Sequence, residues 1–474
     1  MDAERRVVAL LLPYSTALGA SGLGAAARGK APRGAAGGVV QPELRADPHG
    51  AGAHRSEGRP RAQPVSDSEA SAIRVREGEI GVYVHVPFCE RLCPYCDFAV
   101  SVQREIPHQA YVERVAAELK ARAGEFEGYE AVTLYVGGGT PSLLSGEALG
   151  ALFEAVRGVV SVHEGAEVTL EANPNQLTAA NLAAWKELGV ERLSVGCQSF
   201  QDAQLKALRR NHSAAQAIEG VERALEVMER VSIDLMFGVP GQTMGSWEAD
   251  LAVMQRLVEE RGLDHVSAYN LTVEPGTAFW IRRKRGSLSL PDEDTSANFL
   301  ERLVERTAEV GLWRYEVSNF AVPGGESRHN SGYWLRRPYV GVGVGAHSLR
   351  VAADGRSWRR ANAKKYAEYM EQAEPGAPKS EEALSARESF GEHLFLGARS
   401  RLGLDLSGLF ERYAGVLSRA EEARVGEAVE GLEALGLLER LDGDRVIWRP
   451  TLRGLDLGDT VAERLYLAAT PDDI

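Results

Sequence analysis

The feature that most constrains this chain is an alternation beginning at Ile80. Short β-branched apolar runs recur at Val82–Val86, Val132–Val136, Val168–Leu170, Leu193–Val195, Ile233–Phe237 and His265–Tyr269. Helical patterns fill the gaps, at Tyr111–Phe126, Glu147–Val156, Leu182–Leu188, Ala214–Glu229 and Trp247–Arg261. Strands that alternate with helices must cross over and pair in parallel. At least six βα units therefore fit between Ile80 and Leu271, which predicts an α/β fold with a partial, six-unit parallel barrel. A further helix is predicted over Pro291–Gly311 and a strand over Arg314–Ser318, followed by a stretch of loops and short strands over 320–360.

A break at Pro375–Pro378 precedes a smaller α+β region. Helices over Leu409–Leu417 and Glu422–Leu435 precede a hairpin, Leu437–Leu441 with Arg445–Arg449, turning at Asp442-Gly443. This reads as a winged-helix-like module. Residues 1–75 stand apart, because 32 of the first 72 positions are Ala, Gly or Pro and no period persists. They read as a disordered extension; Asp2 and Glu4 argue against a targeting peptide. The division expected is thus 1–75, a core over 76–325 and a C-terminal region over 326–474.

Composition removes several function classes. Among 474 residues, 67 are acidic and 54 basic, a formal charge of −13, so no nucleic-acid footprint is expected. The longest early apolar run, Val7–Leu12, stops at Pro13, far short of the roughly 18 residues of a membrane helix. Peripheral contact with a membrane surface stays open. Four cysteines are too few for a disulfide scaffold, yet three of them crowd into eight residues.

That segment reads Tyr83-Val-His-Val-Pro-Phe-Cys89-Glu-Arg-Leu-Cys93-Pro-Tyr-Cys96-Asp-Phe98 and follows the first strand. Three thiolates at this spacing suit one metal centre. A structural zinc site normally takes four ligands, and so does a four-iron cluster. The other cysteine, Cys197, lies about 100 residues away on another predicted strand and reads as a small core thiol. Three ligands leave one metal position open for a small molecule. A zinc site and three unrelated buried thiols are the alternatives.

Other strand ends carry matching chemistry. The second runs into Gly137-Gly138-Gly139-Thr140, where missing side chains let backbone N–H groups approach an anion. The third ends at Glu171, a carboxylate suited to ribose hydroxyls. The fourth ends at Gln198, and Arg210 follows one helix later, able to grip a carboxylate bidentately. Asp234 lies inside an apolar strand, where a charge is costly without a partner. Polar groups at corresponding ends of successive parallel strands are how α/β barrels build sites.

The CxxxCxxC spacing after a first strand resembles the radical S-adenosylmethionine (SAM) superfamily, and the motif order resembles its branch of oxygen-independent coproporphyrinogen III oxidases and related haem chaperones. The resemblance runs from about Val82 into the C-terminal region. It implies that Cys89, Cys93 and Cys96 hold a 4Fe–4S cluster whose open iron takes S-adenosylmethionine. Tyr83, Gly138 and Glu171 match contacts to that molecule. Gly139, Thr140, Gln198, Arg210 and Asp234 match positions holding a second one in the oxidase, and Tyr95 matches the aromatic beside the last ligand. The oxidase pattern has a further cysteine where this chain has Phe98, as the chaperones do. The chaperone motif His-Asn-x-x-Tyr-Trp occurs as His329-Asn330-Ser331-Gly332-Tyr333-Trp334. An imidazole and two aromatics in a loop suit haem, and His347 is a second candidate. The resemblance thus implies a cytoplasmic haem chaperone with acceptor haemoproteins and an electron donor as partners. Oxidative decarboxylation of coproporphyrinogen III is the alternative.

Overall fold

The computed structural model describes residues 75–470. The extension read over the start of the chain lies, up to residue 74, outside them. Six strands follow one another in chain order and pair side by side in parallel: β1 (Glu79–Val86), β2 (Glu130–Gly138), β3 (Ser161–Ala172), β4 (Arg192–Gln198), β5 (Arg230–Phe237) and β6 (His265–Asn270). The crossovers are α1 (His108–Ala121), α2 (Gly146–Arg157), α3 (Ala179–Glu187), α4 (Ala214–Val227) and α5 (Met244–Arg261). Four of these start at a Ser or Thr whose side chain accepts from a first-turn N–H: Ser145, Thr178, Ser213 and Thr243. Such caps satisfy donors the helix itself leaves free. The α/β, parallel-sheet architecture expected from the alternation is what the chain adopts.

The sheet is open and longer than six strands. After α6 (Glu293–Glu309), β7 (Trp313–Arg314) and β8 (Asn319–Ala321) extend it antiparallel beyond β6. After α7 (Arg328–Trp334), β9 (Tyr339–Gly343) joins parallel to β1 on the opposite side, with Tyr83 level with Gly341. The antiparallel strands β10 (His347–Val351), β11 (Ser357–Ala361) and β12 (Ser380–Leu384) continue outward from it. The sheet therefore runs across position 325. The run over 320–360, expected as loops and short strands, supplies a seventh parallel strand as well. A β9 placed beside β1 has sequence separation of over 250 residues, and nothing local in Tyr339–Gly343 announces its partner.

Strand residues alternate in character. Val82, Val84, Leu134, Val136, Leu170, Leu193, Ile233 and Val266 are buried in one core beneath the helices. The intervening positions, among them Tyr83, Tyr135, Glu171, Ser194, Asp234 and Ser267, face a cavity on the concave side. Parallel strands covered on both faces would be apolar throughout; here one face is polar.

The C-terminal region builds a second core. It packs α8 (Ala386–Gly397), α9 (Arg419–Ala434) and α10 (Gly458–Ala469) with a small sheet of β13 (Leu404–Asp405), β14 (Leu438–Leu441) and β15 (Ile447–Pro450). The predicted hairpin is β14–β15, with Leu441 opposite Ile447. Tyr333, Trp334 and Tyr339 belong to this second core, so α7 and β9 weld it to the sheet. No helix among the described residues is long and apolar enough to cross a membrane.

Glu118 on α1 is fully buried and closes the β1–β9 side. Its carboxylate accepts from Arg122 Nη1 (2.9 Å), Asn362 Nδ2 (2.7 Å), the Gly343 N–H (3.0 Å) and the Tyr369 hydroxyl (2.7 Å). Removing one member of a buried charge pair leaves the other uncompensated. Glu118→Ala is expected to lower unfolding free energy by about 3–5 kcal/mol. Denaturant titration of the two proteins checks this.

Candidate functional site

The cavity lies at the C-terminal ends of the parallel strands. Every residue that the sequence singles out for the cluster and for S-adenosylmethionine lines it: Tyr83, Cys89, Cys93, Tyr95, Cys96, Gly138, Gly139, Thr140, Glu171, Gln198, Arg210 and Asp234. The cysteine loop leaves β1 at Val86 and is pinned by the bond from the Phe279 N–H to the Pro94 carbonyl, 2.8 Å.

The three thiols are half-buried and free of disulfides. Cys89 Sγ lies 3.7 Å from Thr140 Oγ1, and Cys93 Sγ lies 3.8 Å from Arg210 Nη1. Burial pushes the Cys89 thiol up to about 11 and the Cys96 thiol up to about 12. A metal cation bound by the loop would reverse this and hold the thiols ionised. The glycine turn fits closely over the loop. A Cβ on Gly139 would meet the Phe88 carbonyl at 2.7 Å and Cys89 Sγ at 2.9 Å. Gly138, at φ +120, would meet the His85 ring at 2.8 Å. Larger residues would fill the space the thiols face. The donor set and this cradle suit a sulfur-ligated cluster.

The remaining groups are organised by hydrogen bonds. Glu171 accepts from the Gly138 N–H at 2.9 Å and from the Tyr135 hydroxyl at 2.8 Å. Burial nevertheless lifts its carboxyl to about 7, with the Asp234 charge adding to the rise. Asp234 is held by the Ser194 hydroxyl at 3.2 Å and is itself raised to about 6 by burial. Arg210 donates to Asn173 Oδ1 (2.6 Å) and to the Gly196 carbonyl (2.9 Å), while its Nε is buried without a partner. A guanidinium held on one side with a free donor is ready for an anionic ligand.

Gln198 reaches the cavity by a route that no pattern in the sequence reveals. The β4–β5 register shifts between Val195 and Gln198, and Gln198 has φ 68, the left-handed region. Arg209, also on the cavity wall, has φ 56. Such backbone in non-glycine residues costs energy and gathers at functional sites. Cys197 does not line the cavity. It is fully buried, and its carbonyl accepts from His212 Nε2 at 3.0 Å, in keeping with a core thiol. Sequence reading missed Tyr135, Asn173, Ser194, Ser267 and Tyr269, all on the cavity wall. The signal was the alternation itself: polar or aromatic residues such as Thr133 and Tyr135, Thr169 and Glu171, Arg192 and Ser194, Ser232 and Asp234, and Ser267 and Tyr269 recur at every second position of β2 to β6.

The motif at 329–334, expected in a loop, is corrected to the buried helix α7. The His329 ring is bonded at both nitrogens, Nδ1 to Thr133 Oγ1 at 2.8 Å and Nε2 to the Tyr333 hydroxyl at 2.9 Å. It stacks on Tyr135 with centroids 5.0 Å apart. Neither nitrogen is free for iron, and burial holds the ring neutral, down to about 3. Trp334 lies in the second core, and neither His329 nor Trp334 lines the cavity.

Comparison with known proteins agrees with this arrangement. The model of the radical SAM superfamily matches residues 83–253. Heme chaperone HemW of Lactococcus lactis is 35% identical over 393 residues, which is 83% of this chain and 97% of the relative. The chain belongs to the HemW family of radical SAM proteins. Heme chaperone HemW of Mycobacterium tuberculosis is 37% identical over 389 residues, 81% of this chain and 94% of that one. The solved structure of coproporphyrinogen III oxidase (HemN) from Escherichia coli has the same fold, with TM-score 0.68, 22% identity, 84% of this chain and 93% of that chain covered. In this HemW-family chain the matched segment starts at Tyr83 and ends inside α5, so it includes five of the six strands that build the cavity.

The Glu171 carboxyl gives a pH test. With a folded value near 7 and an ordinary value of 4.5, its contribution to stability is full below pH 4.5 and is lost as pH rises through 7. Glu171→Gln removes that titration. Relative to wild type, the stability of the variant is expected to gain roughly 3 kcal/mol between pH 4.5 and pH 8. Denaturation of the metal-free proteins at both pH values reads this difference.

Proposed function

We propose that this chain binds haem and delivers it to acceptor haemoproteins. The observation that carries the reading is similarity to haem chaperones over nearly their whole length. Cys89, Cys93 and Cys96, which line the cavity, would hold a 4Fe–4S cluster and leave one iron without a protein ligand. When bound, the cluster supplies an electron-transfer centre and a Lewis-acidic site for S-adenosylmethionine. The chain's own groups bind and orient that ligand. The Gly138–Thr140 turn receives its amino acid end, Glu171 its ribose, and Arg210 an anionic group through its unpartnered Nε. Tyr95, Gln198 and Asp234 complete the wall. An electron donor is required as partner, and the cytoplasm is the proposed compartment, since an open iron survives only under reducing conditions.

The oxidase is the second reading. It is favoured by the presence in the cavity of Gly139, Thr140, Gln198, Arg210 and Asp234, which match positions that hold a second S-adenosylmethionine in that enzyme. Phe98, on the rim of the same cavity where the oxidase pattern has a cysteine, favours the chaperone.

One experiment separates them. The protein is purified anaerobically and reconstituted with iron and sulfide. Haem binding, haem transfer to an apo-haemoprotein and conversion of coproporphyrinogen III are then followed. Haem binding and transfer without conversion are expected; protoporphyrinogen formation would replace the chaperone reading with the oxidase. Cys93→Ala is expected to abolish the broad absorbance of the cluster near 400 nm, as a roughly complete loss, under both readings. A zinc site instead predicts a colourless wild-type protein.

A further inference from the structure

A second cavity of about 330 Å³ lies behind the first and shares two residues with it, Tyr83 and Phe98. Tyr333 and Tyr339 form part of its wall, and Lys364, Lys365 and Lys379 stand on its rim. The size falls in the range of ligand pockets, roughly 300–1,000 Å³. Nothing in the cluster chemistry above uses it.

Two histidines, His85 and His329, lie against Tyr83, and a third, His347, lines the second cavity with it; the three are not equivalent. His329 is bonded at both nitrogens, as described. His85 is too, with Nδ1 3.1 Å from the Tyr83 hydroxyl and Nε2 2.9 Å from the Ala99 carbonyl. His347 differs. It lines the second cavity, and among the described residues no protein group hydrogen-bonds its ring. Burial, with the charges of Arg359 and Lys364, holds it neutral, down to about 4. A neutral imidazole with free nitrogens facing a cavity is a metal ligand in waiting. One histidine is too few for a bare ion. Iron already held by a macrocycle needs only one axial ligand from the protein.

The rim agrees. Lys379 is paired with Glu368 at 2.5 Å. Lys364 and Lys365 are exposed and form no salt bridge among the described residues. Two unpaired ammonium groups beside an aromatic-walled cavity match a flat apolar ring with two carboxylates.

We propose that this cavity is the haem site, with His347 ligating the iron and Lys364 and Lys365 pairing with the propionates. The assignment rests on the haem-carrying reading above and sharpens it. It moves the iron ligand from His329 to His347. It also sets the haem beside the cluster cavity, with Tyr83 and Phe98 between the two.

The test titrates the full-length protein with haem and records the Soret band and the affinity. His347→Ala is expected to shift the band and raise Kd at least tenfold, with the band restored by added imidazole. Lys364→Glu/Lys365→Glu, both on the surface, is expected to raise Kd for haem at least fivefold and to leave Kd for haem dimethyl ester unchanged. A wild-type band and affinity in His347→Ala overturn the assignment while the haem-carrying reading stands. So does a lysine pair that affects haem and its ester alike, which also decides the matter where His347→Ala does not fold. Failure of the wild-type protein to bind haem overturns the haem-carrying reading itself.

Discussion

The in-register parallel pairing of β1 to β6 is the constraint on which everything else in this molecule depends. Val82 sits level with Leu134, Leu134 with Val168, Leu170 with Leu193 and Leu193 with Val231. Because side chains along a strand point to opposite faces, that register sends one set of residues beneath the helices and the other into the cavity. A slip of one residue in any strand would exchange them, burying Asp234 or Glu171 among aliphatic side chains. The same register brings the strand ends, and the loops that follow them, to one rim. The cysteine loop, the glycine turn, Glu171 and Gln198 meet there for that reason.

Tyr83 stands at the centre of the arrangement. One side of it faces the cluster cavity and the other the second cavity. Its ring lies against those of His85, Tyr135 and His329, with centroids 6.0, 6.0 and 6.3 Å apart. His329 supports this group by bonding Thr133 on β2 and Tyr333 on α7, which joins the sheet to the C-terminal core. The motif that marks the haem-chaperone branch therefore has a physical task here whatever it does for haem. It fixes the aromatic wall between two cavities and anchors α7.

Much of the site was legible in the sequence because chemistry-bearing residues stood next to strand ends. An apolar run followed by Cys-x-x-x-Cys-x-x-Cys, by three glycines or by a lone glutamate needs only the parallel-sheet rule to bring its residues together. Asp234 was legible for a different reason, since a carboxylate between Ile233 and Leu235 has to face something polar. Ser194, Ser267 and Tyr269 carried a weaker version of that signal and were passed over, because serine and tyrosine are ordinary in strands. Gln198 was placed by its position at the end of the fourth strand; the bulge and left-handed backbone that aim it into the cavity have no local mark.

What the sequence by itself determined was the alternation of strands and helices, the crowding of three thiols and the polar residues at strand ends. These depend on periods of two and three to four residues and on spacing within a loop, all local quantities. What only the tertiary structure decided was which nitrogen of which histidine is free. Nothing local to His85, His329 or His347 shows which of their ring nitrogens are bonded. Their difference arises from partners far away in sequence — Thr133 for His329 is 196 residues distant — and from β9 returning to pair with β1. Hydrogen-bond satisfaction is a property of the folded neighbourhood, so which histidine keeps an unbonded ring could be read only there.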